Sequence, residues 1–255
     1  MHSVLHHIPV MVKEVLYYLD IQSNLIYVDG TIGQGGYTEH ILPSLSPRGK
    51  IVGIDRDIEV LDRCQQNFST PNAQLSLHHN SYHHLPDILQ KEGIHSVDRI
   101  LLDLGLSSFQ LESENRGFSY SRDSLLDMRF DQTSGMPAAN FLKKLTLKEL
   151  VKILKEFGEE RYSRKIAYNI YHSEELKTTS DLKNIIRKST PPANRTKSFS
   201  RVFQSIRIAI NRELEILEKF LNIFIDYLSS RGKIVIISYH SLEDRQFCLY
   251  WTNSQ

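Results

Sequence analysis

The chain has 255 residues and a net charge of +1 from 31 basic and 30 acidic side chains, so its totals exclude a polybasic coat and an acidic tail. Its two cysteines, Cys64 and Cys248, lie far apart and exclude a disulfide framework and a zinc pattern, so no metal is expected. No apolar run approaches a membrane span, and the opening MHSVLHHIPV lacks the basic and apolar regions of a signal peptide, so a cytoplasmic protein is expected.

Short Ile-, Leu- and Val-rich runs alternate with helical patterns through the first hundred residues. LIYVD (25–29), KIVGID (50–55), AQLSLH (73–78) and DRILLDL (98–104) have the character of buried strands. Segments 37–45, 58–68 and 85–92 between them have helical length. Strand, helix and strand at this spacing predict an α/β fold with a parallel sheet and right-handed crossovers. A fifth strand, GKIVIISYH, comes only at 232–240, and its carboxyl side would leave it at an edge that a second subunit could cover. Before it, apolar residues at 206, 210, 214, 217, 221 and 224 predict one long helix over 203–228.

The interval 109–202 is turn-rich at first and helical later, with Thr146 and either Thr179 or Ser180 as N-caps and Pro191-Pro192 as a stop. It reads as an inserted helical subdomain in a discontinuous domain made of 1–108 and 203–255. From Leu182 to Arg212 there is no acid. The bland reading of that run is a solvated face. The sharper one is a phosphate-binding patch, with Arg195, Lys197, Arg201 and Arg207 as RNA contacts.

In an open parallel sheet, ligands bind beyond the carboxyl ends of the strands. There the sequence puts Asp29 with Gly33, Gly35 and Gly36 after strand one, Asp55 after strand two, Asn80 and Tyr82 after strand three, and Asp103 after strand four. The glycines let backbone approach a ligand, and an acid ending strand two can accept both hydroxyls of a ribose. Asp29 and Asp55 could instead be helix caps, a reading that three acids at one edge make weaker. A dinucleotide would want a third glycine where Thr38 stands, and an acid before the glycines repels a pyrophosphate. S-adenosylmethionine carries no phosphate and suits the pattern better.

HIPVMVKEVL, YVDGTIGQGGYTEHIL, GIDRD, LLDLGLSSFQLESENRGFSY, LDMRFD, FGEERYSRKIA, RVFQSIRIAINREL and SYHSLEDR follow one another in order. Together they resemble the motifs of the ribosomal small-subunit RNA methyltransferase H (MraW) family, over nearly the whole chain. The resemblance implies a class I S-adenosylmethionine-dependent methyltransferase, a Rossmann-like parallel sheet with an inserted helical substrate-recognition subdomain. It implies transfer of a methyl group to N4 of a cytidine in the decoding centre of small-subunit ribosomal RNA, free or in the assembled subunit. By motif match, cofactor contacts fall on Gly35, Gly36, Tyr37, Asp55, Tyr82, Asp103 and Gln110. The family usually has His at Tyr37 and Phe at Tyr82; the second change keeps an aromatic ring for adenine. SYHSLEDR implies His240 beside the substrate entrance.

Cytosine N4 is a poor nucleophile because its lone pair is conjugated into the ring. A hydrogen-bond acceptor and in-line positioning are what an enzyme can add. Asp103 and the backbone of LGLSS are the candidates. Phe118 and Tyr120 could stack on a flipped base or anchor the insertion by packing. The four histidines of HHNSYHH (78–84) lack interleaved Cys or carboxylate ligands. Two other classes remain open on sequence alone: a non-catalytic RNA-binding protein on this fold, and a nicotinamide-dependent oxidoreductase.

Overall fold

The computed structural model describes residues 9–68 and 74–253. The motif residues His7 and Ile8, and Ala73 at the start of expected strand three, lie outside the described residues. The chain divides into two compact units, Met1–Gly105 with Leu214–Gln255, and Leu106–Glu213. The insertion thus begins a few residues earlier and ends eleven residues later than the periodicity suggested, because helix α10 (Arg195–Asn211) belongs wholly to it.

The first unit opens with α1 (Val12–Leu19), β1 (Ile26–Asp29), α2 (Gly36–Ile41), β2 (Lys50–Asp55) and α3 (Ile58–Asn67). β3 (Leu75–His79), α4 (Leu85–Lys91) and β4 (Val97–Asp103) follow. All strands pair in parallel, in the order β3-β2-β1-β4-β5, where β5 is Leu228–Ile237. The chain therefore winds outward from β1 in one direction and then from β4 in the other. The switch point lies between β1 and β4, where a crevice for a ligand is expected. Register fixes what lines that edge: Asp29 sits opposite Gly53 on β2 and Leu101 on β4, and Asp103 sits opposite Ile237 on β5.

Burial follows position in the sheet. Val52, Ile54, Ile100 and Leu102 on the inner strands are fully buried, whereas the edge strands β3 and β5 have no fully buried residue. One face of the sheet packs against Leu85, Ile88 and Leu89 of α4 and against Ile216, Leu217 and Phe220. The other face holds α1 and α2 through Val15, Leu19, Tyr37 and Ile41. Arg99, 4% exposed, points from β4 to the end of α1, where its guanidinium donates to the Leu19 and Asp20 carbonyls and pairs with the Asp20 carboxylate. Four orphan carbonyls end every helix, and here a buried cation satisfies two of them.

The inserted unit carries α5 (Ser108–Glu112), α6 (Ala138–Lys144), α7 (Leu147–Glu156), α8 (Ser163–Tyr171), α9 (Thr179–Ser189) and α10. Its core is its own: Leu142, Leu150, Leu154, Ile166, Leu182, Ile186, Val202 and Ile206 are buried together. Thr146 caps α7 in a reciprocal box with Glu149. The cap of α9 is Thr178, not Thr179 or Ser180, because Asp181 three residues on returns the bond to the Thr178 backbone. Phe118 stacks on Phe130 at 5.5 Å and Tyr120 meets Phe199 and Phe203, so both rings serve this core.

The expected single helix over 203–228 is three pieces: α10, α11 (Glu213–Leu221) and α12 (Phe224–Tyr227), with α13 (Ser241–Asn253) after β5. Arg212 breaks it with φ 53°. The residues on either side serve different cores. Val202, Phe203 and Ile206 belong to that of the insertion, and Ile216, Leu217 and Phe220 to that of the sheet. A straight helix holds one apolar stripe and cannot serve both.

Asn211, at the end of α10, is 2% exposed and accepts from the Phe130 amide while donating to the Met128 carbonyl, each at 2.8 Å. It thereby locks the LDMRFD loop to the helix. Asn211→Ala leaves both backbone groups buried and unsatisfied. It should lower stability by about 2–4 kcal/mol. Urea denaturation followed by circular dichroism measures this, and a midpoint equal to wild type would remove the clamp.

Candidate active site

Three carboxylates end three adjacent parallel strands, and each is placed by its own hydrogen bonds. The turn after β1 runs through Gly33 (φ 57°) and Gly35 (φ 88°), left-handed values that side chains resist. A Cβ on Gly35 would also strike the Phe68 ring and the Cys64 sulfur. The turn is closed onto β2 by Asp55, whose Oδ2 accepts from the Gly33 amide and whose Oδ1 accepts from the Asp57 amide, both at 2.9 Å. Burial pushes the Asp55 carboxyl up to about 6 against those two bonds.

Asp29 is 3% exposed. Its Oδ1 accepts from the Thr31 amide at 3.3 Å, and its Oδ2 is buried without a partner. Burial, followed by the charges of Asp103 and Asp55, raises its carboxyl to about 8. An unsatisfied buried carboxylate oxygen costs free energy unless a donor or a cation reaches it. Thr38, where a dinucleotide site would want glycine, is also fully buried with its hydroxyl oxygen unpartnered.

Asp103 is the junction of the edge. Its amide donates to the Thr31 hydroxyl at 2.7 Å, its Oδ1 accepts from the Tyr239 hydroxyl at 2.9 Å, and its Oδ2 lies 3.2 Å from the Tyr37 hydroxyl. The Tyr37 proton is shared with the Val10 carbonyl at 2.8 Å. Burial first, and then the Asp103 charge, pushes both phenols well above their ordinary range, so both stay protonated and donate. Tyr239 was not among the residues expected at the site. No sequence signal marked it: only the pairing of Asp103 with Ile237 brings the residues just after β5 to the edge shared with the residues just after β4.

Gly33, Gly35, Gly36, Tyr37, Asp55 and Asp103 therefore converge on one sheet edge. Tyr82 is at the same edge but is 8% exposed, and its ring packs edge-on against Phe220 at 5.3 Å. Its expected contact with adenine is therefore confined to the part of the ring that remains exposed. Gln110 belongs to the inserted unit. There it is buried, and its Oε1 accepts from the Ser107 amide at 3.1 Å in the capping box of α5.

The expected RNA contacts separate. Lys197 is exposed, and Arg195 and Arg201 are half-buried. Arg207 is a correction: it forms a two-pronged ion pair with Glu213 at 2.9 and 3.0 Å with its side chain 12% exposed, so its donors hold protein rather than phosphate. His240 was expected beside the substrate entrance. Its ring is 8% exposed and lies 3.3 Å from Glu243 at the start of α13, where Glu243 also accepts from the Tyr239 amide at 2.9 Å. The histidines of 78–84 turn to different partners: His78 meets Glu92, His79 the Arg56 carbonyl, His83 Ser81, and His84 Asp87, with the His83 and His84 ring centroids 3.9 Å apart.

The raised Asp29 carboxyl makes a pH prediction. The folded protein holds a proton that the unfolded chain releases near pH 4, so stability falls as pH rises from about 4 to about 8. Asp29→Asn should flatten that slope and leave the cofactor-free protein more stable at pH 8, by an amount on the order of a few kcal/mol. Melting temperatures from pH 5 to about pH 8.5 for both proteins decide it; parallel curves would show that Asp29 is ionised in the fold.

The sequence profile of the MraW methylase family matches residues 4–250. The ribosomal RNA small subunit methyltransferase H of Buchnera aphidicola subsp. Cinara cedri is 43% identical over 247 residues, covering 94% of this chain and 78% of that protein. The protein of the same name from Halothermothrix orenii is 41% identical over 248 residues, covering 95% and 79%. That from Caldicellulosiruptor saccharolyticus is 42% identical over 243 residues, covering 94% and 79%. With a profile match across nearly all of its length and relatives of this identity over most of theirs, the chain belongs to the MraW methylase family.

Proposed function

We infer that the chain transfers a methyl group from S-adenosylmethionine to N4 of a cytidine in the decoding centre of small-subunit ribosomal RNA. It is a methyltransferase of small-subunit ribosomal RNA and uses S-adenosylmethionine. The observation that carries the site is the unpartnered, buried Asp29 oxygen beside a left-handed glycine turn and two further carboxylates. Such an edge disfavours a pyrophosphate and favours a ligand with positive charge and hydroxyls. The bound cofactor supplies an electrophilic methyl group on a sulfonium.

The protein's own groups do the rest. We assign Gly33, Gly35 and Gly36 to close backbone approach, Asp55 to the ribose hydroxyls and Asp29 to the positive end of the cofactor. Tyr82 lines the adenine end with the little of its ring that is exposed, and Gln110 is retained as a cofactor contact on the family motif. Tyr37 and Tyr239 hold the Asp103 carboxylate between two donors. A carboxylate oxygen accepts through two lone pairs, so Asp103 can accept from the target amine with both hydroxyls in place, and Tyr239, bonded to the same carboxylate, is a second candidate for contact with the base. Holding the amine's protons on fixed acceptors draws the lone pair out of conjugation and toward the methyl group.

Arg195, Lys197 and Arg201 are proposed to hold RNA phosphates. Among the described residues no helix is long and apolar enough to cross a membrane, in keeping with the proposed cytoplasmic location. β5 ends the sheet beside Tyr18, Ile225 and Trp251, each more than half exposed, which supports a homodimer through that face. Sedimentation of a monomer at micromolar concentration would remove it.

The activity is tested by transfer of labelled methyl from S-adenosylmethionine to unmethylated small subunits and to naked RNA, with the modified base identified by mass spectrometry. Label on any base other than cytosine would refute the target. Asp55→Ala should weaken S-adenosylmethionine binding by ~1.5–3 kcal/mol in isothermal titration, the cost of losing charged hydrogen bonds. Unchanged affinity would take the ribose away from Asp55.

A further inference from the structure

Helix α8 has two unlike faces. Ser163, Ile166, Ala167 and Ile170 are buried. The opposite stripe carries Arg161, Arg164 and Lys165, then Tyr168, Tyr171 and His172, all exposed. From Arg161 to Ser173 the chain has no acid, and the exposed stripe has no aliphatic side chain. Tyr168 and Tyr171 are 54% and 53% exposed, a large share for rings with no catalytic neighbour.

These rings are held rather than loose. His172 lies 4.1 Å from Tyr168, centroid to centroid, at 35°, and 5.2 Å from Tyr171, edge to face. Its Nδ1 donates to the Tyr168 carbonyl at 2.8 Å. The imidazole thus braces both phenols, so a ligand that stacks on them loses less side-chain freedom. The basic surroundings extend beyond α8. Asn169 donates to the Ser189 hydroxyl at 2.8 Å, which joins α8 to the end of α9 where Arg187 and Lys188 are exposed. Asn194 donates to the Tyr162 hydroxyl at 2.8 Å, which joins the start of α8 to the start of α10, beside Arg195 and Lys197.

We propose that the Tyr168–His172–Tyr171 cluster on α8 is a stacking platform for unpaired bases of the substrate RNA, with Arg164 and Lys165 holding the adjoining phosphates. Flat, exposed rings beside cations fit single-stranded nucleic acid, whose bases offer a face to stack and whose backbone supplies the charge. A lipid surface would call for aliphatic anchors, and the stripe has none; cations with no acid between Arg161 and Ser173 favour a polyanion over a protein face. Paired bases keep their faces inside the helix, so the platform selects single strands over duplex.

This rests on the reading of the chain as a ribosomal RNA methyltransferase, and the test separates the two. Binding of the full chain to a fluorescein-labelled, unstructured oligoribonucleotide and to a blunt RNA duplex of equal length is followed by anisotropy over a range of KCl. Tyr168→Ala with Tyr171→Ala should weaken single-strand binding roughly ten-fold or more, with the salt slope unchanged and little effect on duplex. Tyr168→Phe with Tyr171→Phe should restore it. Arg164→Ala with Lys165→Ala should instead reduce the log–log salt slope by about 1–1.5. S-adenosylmethionine affinity, read by titration, should stay at the wild-type value in all three and reports that the fold is intact. An alanine pair that binds single strands as wild type does, or that loses duplex equally, overturns the platform. So does loss in the phenylalanine pair equal to that in the alanine pair. Wild-type protein that neither binds RNA nor labels small subunits overturns the methyltransferase reading, and the platform with it.

Discussion

Desolvation of carboxylates at one sheet edge is the constraint on which the site depends. Asp29, Asp55 and Asp103 end neighbouring parallel strands, and burial lifts the Asp29 and Asp55 carboxyls above the usual range, with the charges of Asp103 and Asp55 adding to it at Asp29 and that of Asp57 at Asp55. An enzyme core does not keep such a cluster for stability, since one acid fewer would relieve it. Its use is differential. A ligand bearing positive charge relieves the repulsion and is bound more tightly than the same ligand without it, while a pyrophosphate adds to it.

The surrounding architecture is arranged to hold that edge. Asp55 takes two backbone amides, one of them from the glycine turn, so the end of β2 sets the shape of the loop after β1. Asp103 is held by Thr31 through its amide and by Tyr239 and Tyr37 through its carboxylate, which ties together the ends of β1, β4 and β5. Parallel pairing makes this possible. It brings all five carboxyl ends to the same side, so residues far apart in the chain share one small region.

In the inserted unit, motif residues that resemble functional ones are occupied in packing. Arg116, 1% exposed, donates to the Arg129 and Phe130 carbonyls, and Asn211 completes the same loop. Arg129 grips Asp127 at 2.8 Å and holds the Asp127 carboxyl below its usual range against the cost of burial. These charged and amide groups stand in for secondary structure in a turn-rich segment, where backbone groups need partners that neither helix nor sheet provides. The exposed rings of α8 have no such duty, which is why they stand out.

Hydrophobic runs and glycine turns are local, and the sequence alone determined what depends on them. It set the β2 bounds, the parallel α/β order, the edge carrying Asp29, Asp55 and Asp103, and the presence of a helical insertion. Partner choice is not local, and only the tertiary structure decided it. Arg207 lay in an acid-free run, yet its partner Glu213 stands one residue past the end of that run, brought close by the break at Arg212. Tyr82 reads in the sequence as a ring for adenine, and only the structure shows that Phe220 packs on that ring and leaves 8% of the residue exposed. Tyr239 carried no signal of its own until the pairing of β5 with β4 brought its hydroxyl to Asp103. Periodicity reports which face of an element is buried. It does not report which of two distant groups will satisfy a hydrogen bond, because that depends on strand register and on where each helix breaks.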